Sequence, residues 1–372
     1  MSKHDELICI GCGATIQSDN KDKMGYVPAS ALENRNEDDL YCKRCFRLRH
    51  YNEVSDVELT SDDFLNMLNN INDQRALIVN IVDIIDFNGS VITGIERFAG
   101  NNPVMIVGNK VDLLPKSLKH NHIRQWLTER VHELGLRPVD ISLISAVKRD
   151  SVRQLLDKIE KIRGNRDVYV VGTTNVGKST LINQIVKLAT DQRDLITTSY
   201  IPGTTLGKIE IPLDDGHVLV DTPGIFQSGQ MAHVLSHKEM NIITPKKTIK
   251  PATYQLNEKQ TLFLGGVARF DYKGGAGRQS FVVYASNALD IHRTKLEKAD
   301  ALYQAQKGKM FTPPLPENAE HLPDMKQYHF KLDGPSDIVF SGLGWVKVNA
   351  SNVDVSGHAP KGVDVFVRKP MI

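Results

Sequence analysis

The sequence predicts an α/β protein, in which a parallel-rich sheet covered by helices lies between a small cysteine-bearing module and a β-rich C-terminal domain. Three observations support this fold class. Apolar runs that end in acids, such as Ala76–Asp86, alternate with segments of helical periodicity. All four cysteines lie in the first 45 residues. After about Gln227, short strand-like runs separated by Gly, Pro, Asp and Asn replace that alternation.

The length and composition are those of a globular protein of two or three domains. The chain has 372 residues, of which 41% are hydrophobic and 24% charged, and its net charge is +2. A charge this close to neutral does not by itself indicate nucleic-acid binding. No apolar stretch is long enough to span a bilayer, and the N-terminus lacks the features of a secretory signal or transit peptide. We therefore expect a cytoplasmic monomer with no membrane partner.

The elements of the predicted central sheet follow one another as strand and helix. Strands are predicted at Ala76–Asp86, Pro103–Gly108, Pro138–Ser145, Asp167–Gly172, Ile209–Leu213 and His217–Val220. Helices are predicted at Ser61–Asn70, Ser117–Leu134, Ser151–Ile162 and Lys178–Leu188. In the β-rich region, strands are predicted at Thr261–Phe270, Ser280–Ala285, Gln327–Leu332, Trp345–Val348 and Val363–Arg368, with a helix near Arg293–Gln304.

A phosphate-binding loop is predicted where the fourth strand meets a helix. Residues Gly172–Ser179 read GTTNVGKS and match the P-loop pattern G-x-x-x-x-G-K-[ST]. Glycines let backbone N–H groups fold around phosphates, and the helix N-terminus adds partial positive charge. Lys178 is expected to contact the β- and γ-phosphates, and Ser179 to bind Mg²⁺. The other predicted nucleotide contacts of this loop are Gly172, Asn175, Val176, Gly177 and Thr180. The alternative, a chance glycine-rich turn, is disfavoured by the two flanking elements.

A second motif selects the base. Residues Asn109–Asp112 read NKVD and follow an apolar strand. The carboxylate of Asp112 can accept hydrogen bonds from the N1 and N2 groups of guanine, a donor pair that adenine lacks. Asn109 and Lys110 are expected to brace the loop and cover the base. Ser145 and Ala146, after the next strand, would offer a backbone N–H to guanine O6. GTP and GDP are therefore the predicted ligands.

Two further motifs are expected to read the γ-phosphate. Residues Asp221–Gly224 read DTPG, where Asp221 would hold the Mg²⁺ shell and Gly224 would donate its N–H to the γ-phosphate. Pro202–Thr205 reads PGTT, and Thr205 is favoured over Thr204 as the switch ligand of Mg²⁺. The alternative for PGTT is a plain turn.

The cysteines form two pairs of metal-binding spacing. Cys9-x2-Cys12 and Cys42-x2-Cys45 predict a tetrahedral zinc site with four thiolate ligands. A redox CxxC pair is the competing interpretation, and neither pair follows a βαβ strand. Basic and aromatic residues surround the second pair, which suits RNA, although a solvated face remains the alternative. They are Tyr41, Lys43, Arg44, Phe46, Arg47, Arg49, His50 and Tyr51.

The order of these motifs carries a resemblance. NKVD and the Ser-Ala pair precede GTTNVGKS, PGTT and DTPG, whereas a Ras-like GTPase has the P-loop first. With the cysteine module in front, the whole chain resembles the YqeH-type circularly permuted GTPases. The fold this predicts is a circularly permuted Ras-like P-loop GTPase domain with an N-terminal four-cysteine zinc module and a C-terminal β-rich domain. The predicted domains are residues 1–55, 56–228 and 229–372.

The resemblance also implies an activity and a partner. It implies GTP hydrolysis in assembly of the small ribosomal subunit, with contacts to that subunit or its rRNA. The alternatives are a GTPase switch for a protein partner and a GTPase coupled to RNA modification. Ile225 stands where Ras-like enzymes place a water-orienting Gln, so slow intrinsic turnover is expected. Lys178, Thr205, Gly224 and Asn175 are the predicted catalytic residues. Asn175 either helps to coordinate K⁺ or merely turns the loop.

Two smaller features have less specific interpretations. Lys273–Arg278 reads KGGAGR and is either a phosphate-tracking loop or a simple hairpin connection. Asp83 and Asp86 resemble a metal pair, but the edge of a nucleotide-binding sheet accounts for them better.

Overall fold

The computed structural model describes part of the N-terminal region and most of the remaining chain. The described residues are 7, 9, 14–21, 25–32, 41–43, 58–59, 71–72, 74–191, 209–225 and 227–372. They form two compact units. The first unit contains the described residues within Met1–Ile84, Ser90–Val111 and Leu127–Phe226, and the second those within Ile85–Gly89, Asp112–Trp126 and Gln227–Ile372. The domain boundaries predicted above stay predictions.

A six-stranded sheet forms the centre of the first unit. A separate parallel pair consists of β1 (Glu58–Leu59) and β8 (Gly224–Ile225). The sheet consists of β2 (Ala76–Asp83), β3 (Val104–Asn109), β4 (Asp140–Leu143), β5 (Asp167–Gly172), β6 (Ile209–Pro212) and β7 (Val218–Asp221). The strand order is β4-β3-β2-β5-β7-β6, and only β6 runs antiparallel to its neighbour. The predicted parallel-rich sheet is confirmed.

The strand order shows where the chain is permuted. If β5, which leads into the P-loop, is counted as the first strand, the order from β6 to β4 reads 2-3-1-4-5-6. The chain therefore enters the sheet at its fourth position and reaches the P-loop strand only after three others. The residues of β2 are buried along nearly the whole strand, as expected for a strand covered on both faces.

The helices that follow β4 and β5 pack on this sheet. The helices in the first half of the chain are α1 (Ala29–Leu32), α2 (Phe87–Ser90), α3 (Ile95–Ala99), α4 (His120–Glu133), α5 (Arg149–Arg163) and α6 (Lys178–Asp191). Helix α5 buries Val152, Leu155 and Ile159, which recur at helical spacing and join the same core as β2. The helix predicted at Ser61–Asn70 lies outside the described residues.

The second unit is a β-sandwich. Its strands are β9 (Ala252–Leu256), β10 (Gln260–Leu264), β11 (Ala268–Gly274), β12 (Gln279–Ala285), β13 (Ile291–Lys295), β14 (Met325–Leu332), β15 (Ser336–Phe340), β16 (Gly344–Val348), β17 (Val353–Pro360) and β18 (Val365–Arg368). They form two five-stranded sheets, β13-β10-β11-β17-β14 and β18-β15-β16-β12-β9. Phe270 of one sheet and Phe281 of the other meet in a shared core, with ring centroids 5.1 Å apart. Two helices accompany the sheets, α7 (His237–Ile243) and α8 (Leu296–Gln306).

Several predicted elements were wrong in detail. The single strand predicted at Thr261–Phe270 is two strands, β10 and β11, because Gly265 reverses the chain with a φ of 53° that L-residues disfavour. The predicted helix at Arg293–Gln304 begins only at Leu296, because the residues before it pair with β10. In the second unit, strands β9, β13, β15 and β17 were not predicted. No helix of the described residues is long and apolar enough to cross a membrane.

Candidate nucleotide-binding site

The P-loop joins the end of β5 to the start of α6, as its sequence predicts. Gly172 ends the strand, and a side chain there would lie 2.9 Å from the carbonyl oxygen of Ile81. Asn175 is exposed and has a left-handed φ of 64°, which Asn tolerates better than most residues. Val176 is buried, and Gly177 follows it with a φ of 90°. The loop therefore turns tightly and delivers Lys178 to the first position of α6.

Lys178 forms a buried ion pair with the acidic residue of the DTPG motif. Its Nζ lies 2.6 Å from Oδ1 of Asp221, and the two side chains are 2% and 1% exposed. Asp221 ends β7, the strand beside β5, so the sheet itself brings the two residues together. Thr222 fixes the next position, since its hydroxyl donates to the carbonyl of Val170 at 2.9 Å.

The end of the DTPG motif is held as a short strand. Gly224 and Ile225 pair in parallel with Glu58 and Leu59. On its other side, Ile225 accepts a hydrogen bond from the backbone N–H of Thr174 in the P-loop, at 2.9 Å. Ile225, which stands where Ras-like enzymes place a water-orienting Gln, is buried.

Asn109 links three motifs. Its Nδ2 donates to the carbonyl of Val176 in the P-loop at 2.8 Å, and its Oδ1 accepts the backbone N–H of Ala146 at 2.9 Å. The side chain is 1% exposed. Ser145, beside Ala146, is also buried, and its backbone N–H donates to the hydroxyl of Ser151. The amide of Asn109 therefore fixes the P-loop and the Ser-Ala loop to one strand end.

Lys110 is the second brace. It has a φ of 71°, and its Nζ donates to Oδ2 of Asp83 and to the carbonyl of Asn175, each at 2.6 Å. Sequence reasoning did not assign Asp83 to this role. No local sequence pattern points to it, because the contact depends on the strand of Asp83 lying beside β3, with Asp83 opposite Asn109 in parallel register.

Asp112, the last residue of the NKVD motif, belongs to the second unit. Asp112 is half-buried, and its backbone carbonyl accepts a hydrogen bond from the hydroxyl of Thr248 at 3.0 Å. The second unit also holds Asp86, whose Oδ2 accepts the backbone N–H of Gly342 at 2.8 Å. Asp83 and Asp86 therefore have different hydrogen-bond partners, which does not support a metal pair.

Two of the four cysteines lie in the described residues. Cys9 and Cys42 are buried, and the backbone N–H of Cys42 donates to Sγ of Cys9 at 3.1 Å. Val27 completes their small apolar cluster. Among the described residues, no group of three or more His, Cys, Asp or Glu could hold a metal ion.

Several predicted site residues lie outside the described residues. They are Cys12, Cys45, Thr204, Thr205, and the residues Arg44, Phe46, Arg47, Arg49, His50 and Tyr51 of the basic–aromatic segment. From that segment, Tyr41 is half-buried, and Lys43 is exposed with its Nζ 5.7 Å from the ring centroid of Tyr26.

The KGGAGR segment connects β11 of one sheet to β12 of the other, so it is a loop between the two sheets and the predicted hairpin connection is wrong. Its backbone N–H groups at Gly275 and Gly277 donate to Oε1 of Glu258, at 2.9 and 3.0 Å. These two bonds are the leading cause of a lowered pKa at Glu258. The loop's donors thus bind a carboxylate of the same unit.

Two known families match this chain, one in its middle and one in its C-terminal part. The family model described as 50S ribosome-binding GTPase matches residues 167–264, and the one described as YqeH-like, C-terminal matches residues 278–371. YqeH of Bacillus subtilis is 52% identical over 369 residues, which cover 99% of this chain and 100% of that protein. NO-associated protein 1 of Arabidopsis thaliana is 28% identical over 97% of this chain and 75% of that protein.

Two more distant matches cover part of the chain. GTPase Der of Methylococcus capsulatus is 28% identical over 46% of this chain and 38% of that protein. The crystal structure of GNP-bound YlqF from T. maritima matches 45% of this chain and 58% of that one, at 21% identity and a TM-score of 0.29.

The P-loop, its strand order and the matched GTPase family define this protein as a circularly permuted P-loop GTPase, which binds guanine nucleotide and hydrolyses GTP. Identity of 52% over the whole length gives the family. The chain belongs to the YqeH family.

Proposed function

We propose that the chain binds Mg²⁺-GTP through the motifs identified above. Lys178 contacts the β- and γ-phosphates, and Asp112 recognises guanine with help from the backbone at Ser145 and Ala146. The observation that carries this proposal is the amide of Asn109, bonded at once to the P-loop and to the Ser-Ala loop. That amide holds the phosphate-binding and base-binding loops in one arrangement.

Oxygen donors supply the proposed Mg²⁺ site. The hydroxyls of Ser179 and Thr205 and the carboxylate of Asp221 are hard ligands of the kind that Mg²⁺ prefers. When bound, Mg²⁺ neutralises charge on the β- and γ-phosphates. Gly224 donates its N–H to the γ-phosphate, and Ile225 offers no hydrogen bond to an attacking water. Slow intrinsic hydrolysis follows.

Replacement of the base-reading carboxylate tests the assignment. Asp112→Asn exchanges an acceptor for an amide that can donate to the 2-oxo group of xanthine. The variant is expected to lose GTP binding and to gain XTP binding, measured by calorimetric titration. Unchanged GTP affinity in this variant would remove Asp112 from the site.

Asn175 keeps its two proposed roles, as a K⁺ ligand or as a turn residue. Its exposed, left-handed position is compatible with both. A hydrolysis rate that falls when K⁺ is replaced by Na⁺, in the wild type but not in Asn175→Ala, supports the ion. Equal rates in the two salts support the turn.

We also propose that Cys9, Cys12, Cys42 and Cys45 hold one structural Zn²⁺. The support is the paired spacing and the burial of Cys9 and Cys42, with a backbone N–H donated to a sulfur. A structural zinc contributes roughly 10–16 kcal/mol in small peptides, enough to order a segment with little core of its own. Elemental analysis of the purified chain should give one zinc per molecule, and Cys42→Ser should lose it.

The proposed partner is the small ribosomal subunit or its rRNA. Support comes from the YqeH family and from the description of the matched GTPase model, which names ribosome binding, although on the 50S side. In the cell, GTP binding would favour docking on an immature 30S particle, and hydrolysis would release it. The basic and aromatic residues from Tyr41 to Tyr51 are the proposed RNA contacts.

Co-sedimentation separates this partner from the alternatives. The chain is mixed with 30S or 50S particles and either a non-hydrolysable GTP analogue or GDP. We expect pelleting with 30S and the analogue. Asp112→Asn should then pellet only with a xanthosine analogue, which ties docking to the nucleotide. Pelleting with 50S alone moves the proposal to the large subunit, and pelleting with neither favours a protein partner or an RNA-modification role.

A further inference from the structure

We propose that Thr248 is a positioning residue for the guanine-reading carboxylate of Asp112, and that it strengthens discrimination in favour of bases with a 2-amino group. The proposal rests on the proposed role of Asp112. Thr248 lies 136 positions further along the chain and belongs to none of the nucleotide motifs.

Two consecutive donors bind two consecutive carbonyls. The hydroxyl of Thr248 donates to the carbonyl oxygen of Asp112 at 3.0 Å, and the backbone N–H of Ile249 donates to that of Leu113 at 2.8 Å. All four residues belong to the second unit. The backbone that carries the base-reading side chain is therefore held at two adjacent points by one segment.

The holding segment is itself anchored on both sides. Asn287, in the connection between β12 and β13, donates its Nδ2 to the carbonyl of Thr248 at 2.9 Å. Oδ1 of Asn287 accepts the backbone N–H of Lys250 at 2.8 Å. Between these bonds, the residue Ile249 is 1% exposed. Residues 248–250 are consequently a fixed support, and a shift of Asp112 against them breaks hydrogen bonds.

The position of the Asp112 backbone matters for recognition of the base. The carboxylate of Asp112 has to accept two hydrogen bonds at once, from N1 and from the 2-amino group. Each bond needs a donor–acceptor distance of about 2.7–3.2 Å and weakens steeply when its angle falls below about 120°. Hypoxanthine offers only the first donor. A carboxylate that is less well aligned loses more with guanine than with hypoxanthine. In this scheme Thr248 does not touch the nucleotide, and it acts by positioning Asp112.

The experiment compares three threonine variants of the full chain. Thr248→Val removes the hydroxyl at constant shape, and Thr248→Ser keeps it. Thr253→Val, at an exposed position of β9, is the matched control. The measured quantities are the dissociation constants for GDP and for inosine diphosphate, together with kcat for GTP and the melting temperature.

In Thr248→Val, the dissociation constant for GDP is expected to rise about fivefold, the equivalent of one ordinary hydrogen bond. That for inosine diphosphate should rise less, so the ratio of the two affinities falls. The kcat should stay unchanged, and the melting temperature should fall by only a few degrees, because the lost hydrogen bond is also present in the chain without nucleotide. Thr248→Ser and Thr253→Val should both behave as the wild type.

An unchanged ratio of GDP to inosine diphosphate affinity overturns the proposal, whether or not the melting temperature falls. A lower kcat with unchanged affinities overturns it as well. Asp112→Asn separates the two levels. If that variant gains xanthine binding while Thr248→Val leaves the ratio unchanged, only the role of Thr248 fails. If it gains no xanthine binding, the assignment of Asp112 itself fails.

Discussion

At the scale of single residues, Gly177 is the P-loop position with the least room. A Cβ on Gly177 would lie 2.4 Å from Nδ2 of Asn109, the atom that donates to Val176. The backbone there also has a φ of 90°, which L-residues rarely adopt. A side chain at this position must therefore displace the amide that links the P-loop to the Ser-Ala loop.

Gly177→Ala is expected to weaken GTP binding by at least about tenfold, because the Asn109 bond breaks and the loop shifts. Gly216→Ala is the matched control, since Gly216 has a similar φ of 84° but no atom within 4 Å of the added Cβ. That control should cost about 1 kcal/mol of stability from backbone strain alone and leave GTP affinity intact. Equal effects of the two variants on affinity would contradict the steric argument.

The ion pair between Lys178 and Asp221 lets stability and catalysis be separated. Both side chains are almost fully buried. Lys178→Met leaves a buried carboxylate without its cation and should lower the free energy of unfolding by about 3 kcal/mol. The double variant Lys178→Met/Asp221→Leu should regain most of that stability, since an apolar pair can replace a buried ion pair. Urea denaturation measures both.

GTP hydrolysis should be lost in the single and in the double variant, because both lack Lys178, the proposed phosphate contact. A double variant as unstable as Lys178→Met would show that the uncompensated charge of Asp221 is not what destabilises the single variant. A double variant that still hydrolyses GTP would show that Lys178 is not needed for the chemistry.

The motifs predicted the positions of these residues but only part of their partners. The P-loop pattern fixes Lys178 at the start of a helix, and NKVD places Asn109 at a strand end. The partners Asp83 and Thr248 depend on which strands are neighbours and on how the second unit folds. A local pattern does not carry that information, because those contacts join residues far apart in the chain.

At the scale of elements, helix α7 begins with a capping box that also holds a distant loop. Oε2 of Glu239 accepts the backbone N–H of Ser236 at 2.7 Å, and Oε1 accepts the backbone N–H of Leu315 at the same distance. Burial alone would raise the pKa of Glu239, but hydrogen bonds from Ser236 and Leu315 outweigh it and hold that pKa below its usual range. The residue is 1% exposed.

A lowered folded-state pKa fixes the sign of the pH dependence. The contribution of Glu239 to stability is full above the unfolded-state pKa of about 4.3 and is lost as the pH falls through the lower folded-state value. Glu239→Gln should cost about 1–2 kcal/mol at neutral pH and make unfolding less sensitive to acid. Melting curves between neutral pH and acid measure it.

Glu317→Gln is the control for that variant, because Glu317 is exposed on the neighbouring 3₁₀ helix (Pro316–Asn318). It should leave both the neutral-pH stability and the acid sensitivity unchanged. If Glu239→Gln shows the wild-type slope with pH, the carboxylate of Glu239 does not carry the dependence.

The sheet of the first unit was easier to predict than the sandwich of the second. Strand β2 is apolar except for Asn80 and its last residue, Asp83, which is typical of a strand covered on both faces. Strand β9, by contrast, alternates exposed and half-buried residues, and only its last residue, Leu256, is buried. Its identity as a strand comes from pairing with β12, which is a tertiary contact. Strand β17 contains a glycine and ends in a proline, both of which argue against a strand locally.

At the scale of the whole molecule, the fluorescence of the chain's two tryptophans follows the unfolding of one unit. Trp126 and Trp345 both belong to the second unit, where the guanidinium of Arg368 lies 4.9 Å and 5.1 Å from their ring centroids. Asp112 belongs to the same unit. A ligand that Asp112 contacts must stabilise the unit that contains it, because it binds the folded form.

Thermal unfolding followed by tryptophan fluorescence should therefore respond to the base of the nucleotide. GDP at about 100 times its dissociation constant stabilises a one-site folded form by about 2.7 kcal/mol, so the fluorescence midpoint should rise. ADP at the same concentration should leave it unchanged, and Asp112→Asn should respond to XDP in place of GDP. A midpoint that rises in far-UV circular dichroism but not in fluorescence would mean that the nucleotide stabilises the first unit alone. Residues other than Asp112 would then have to recognise the base. The order of the motifs along the chain does not by itself show which unit contributes the residues that contact guanine.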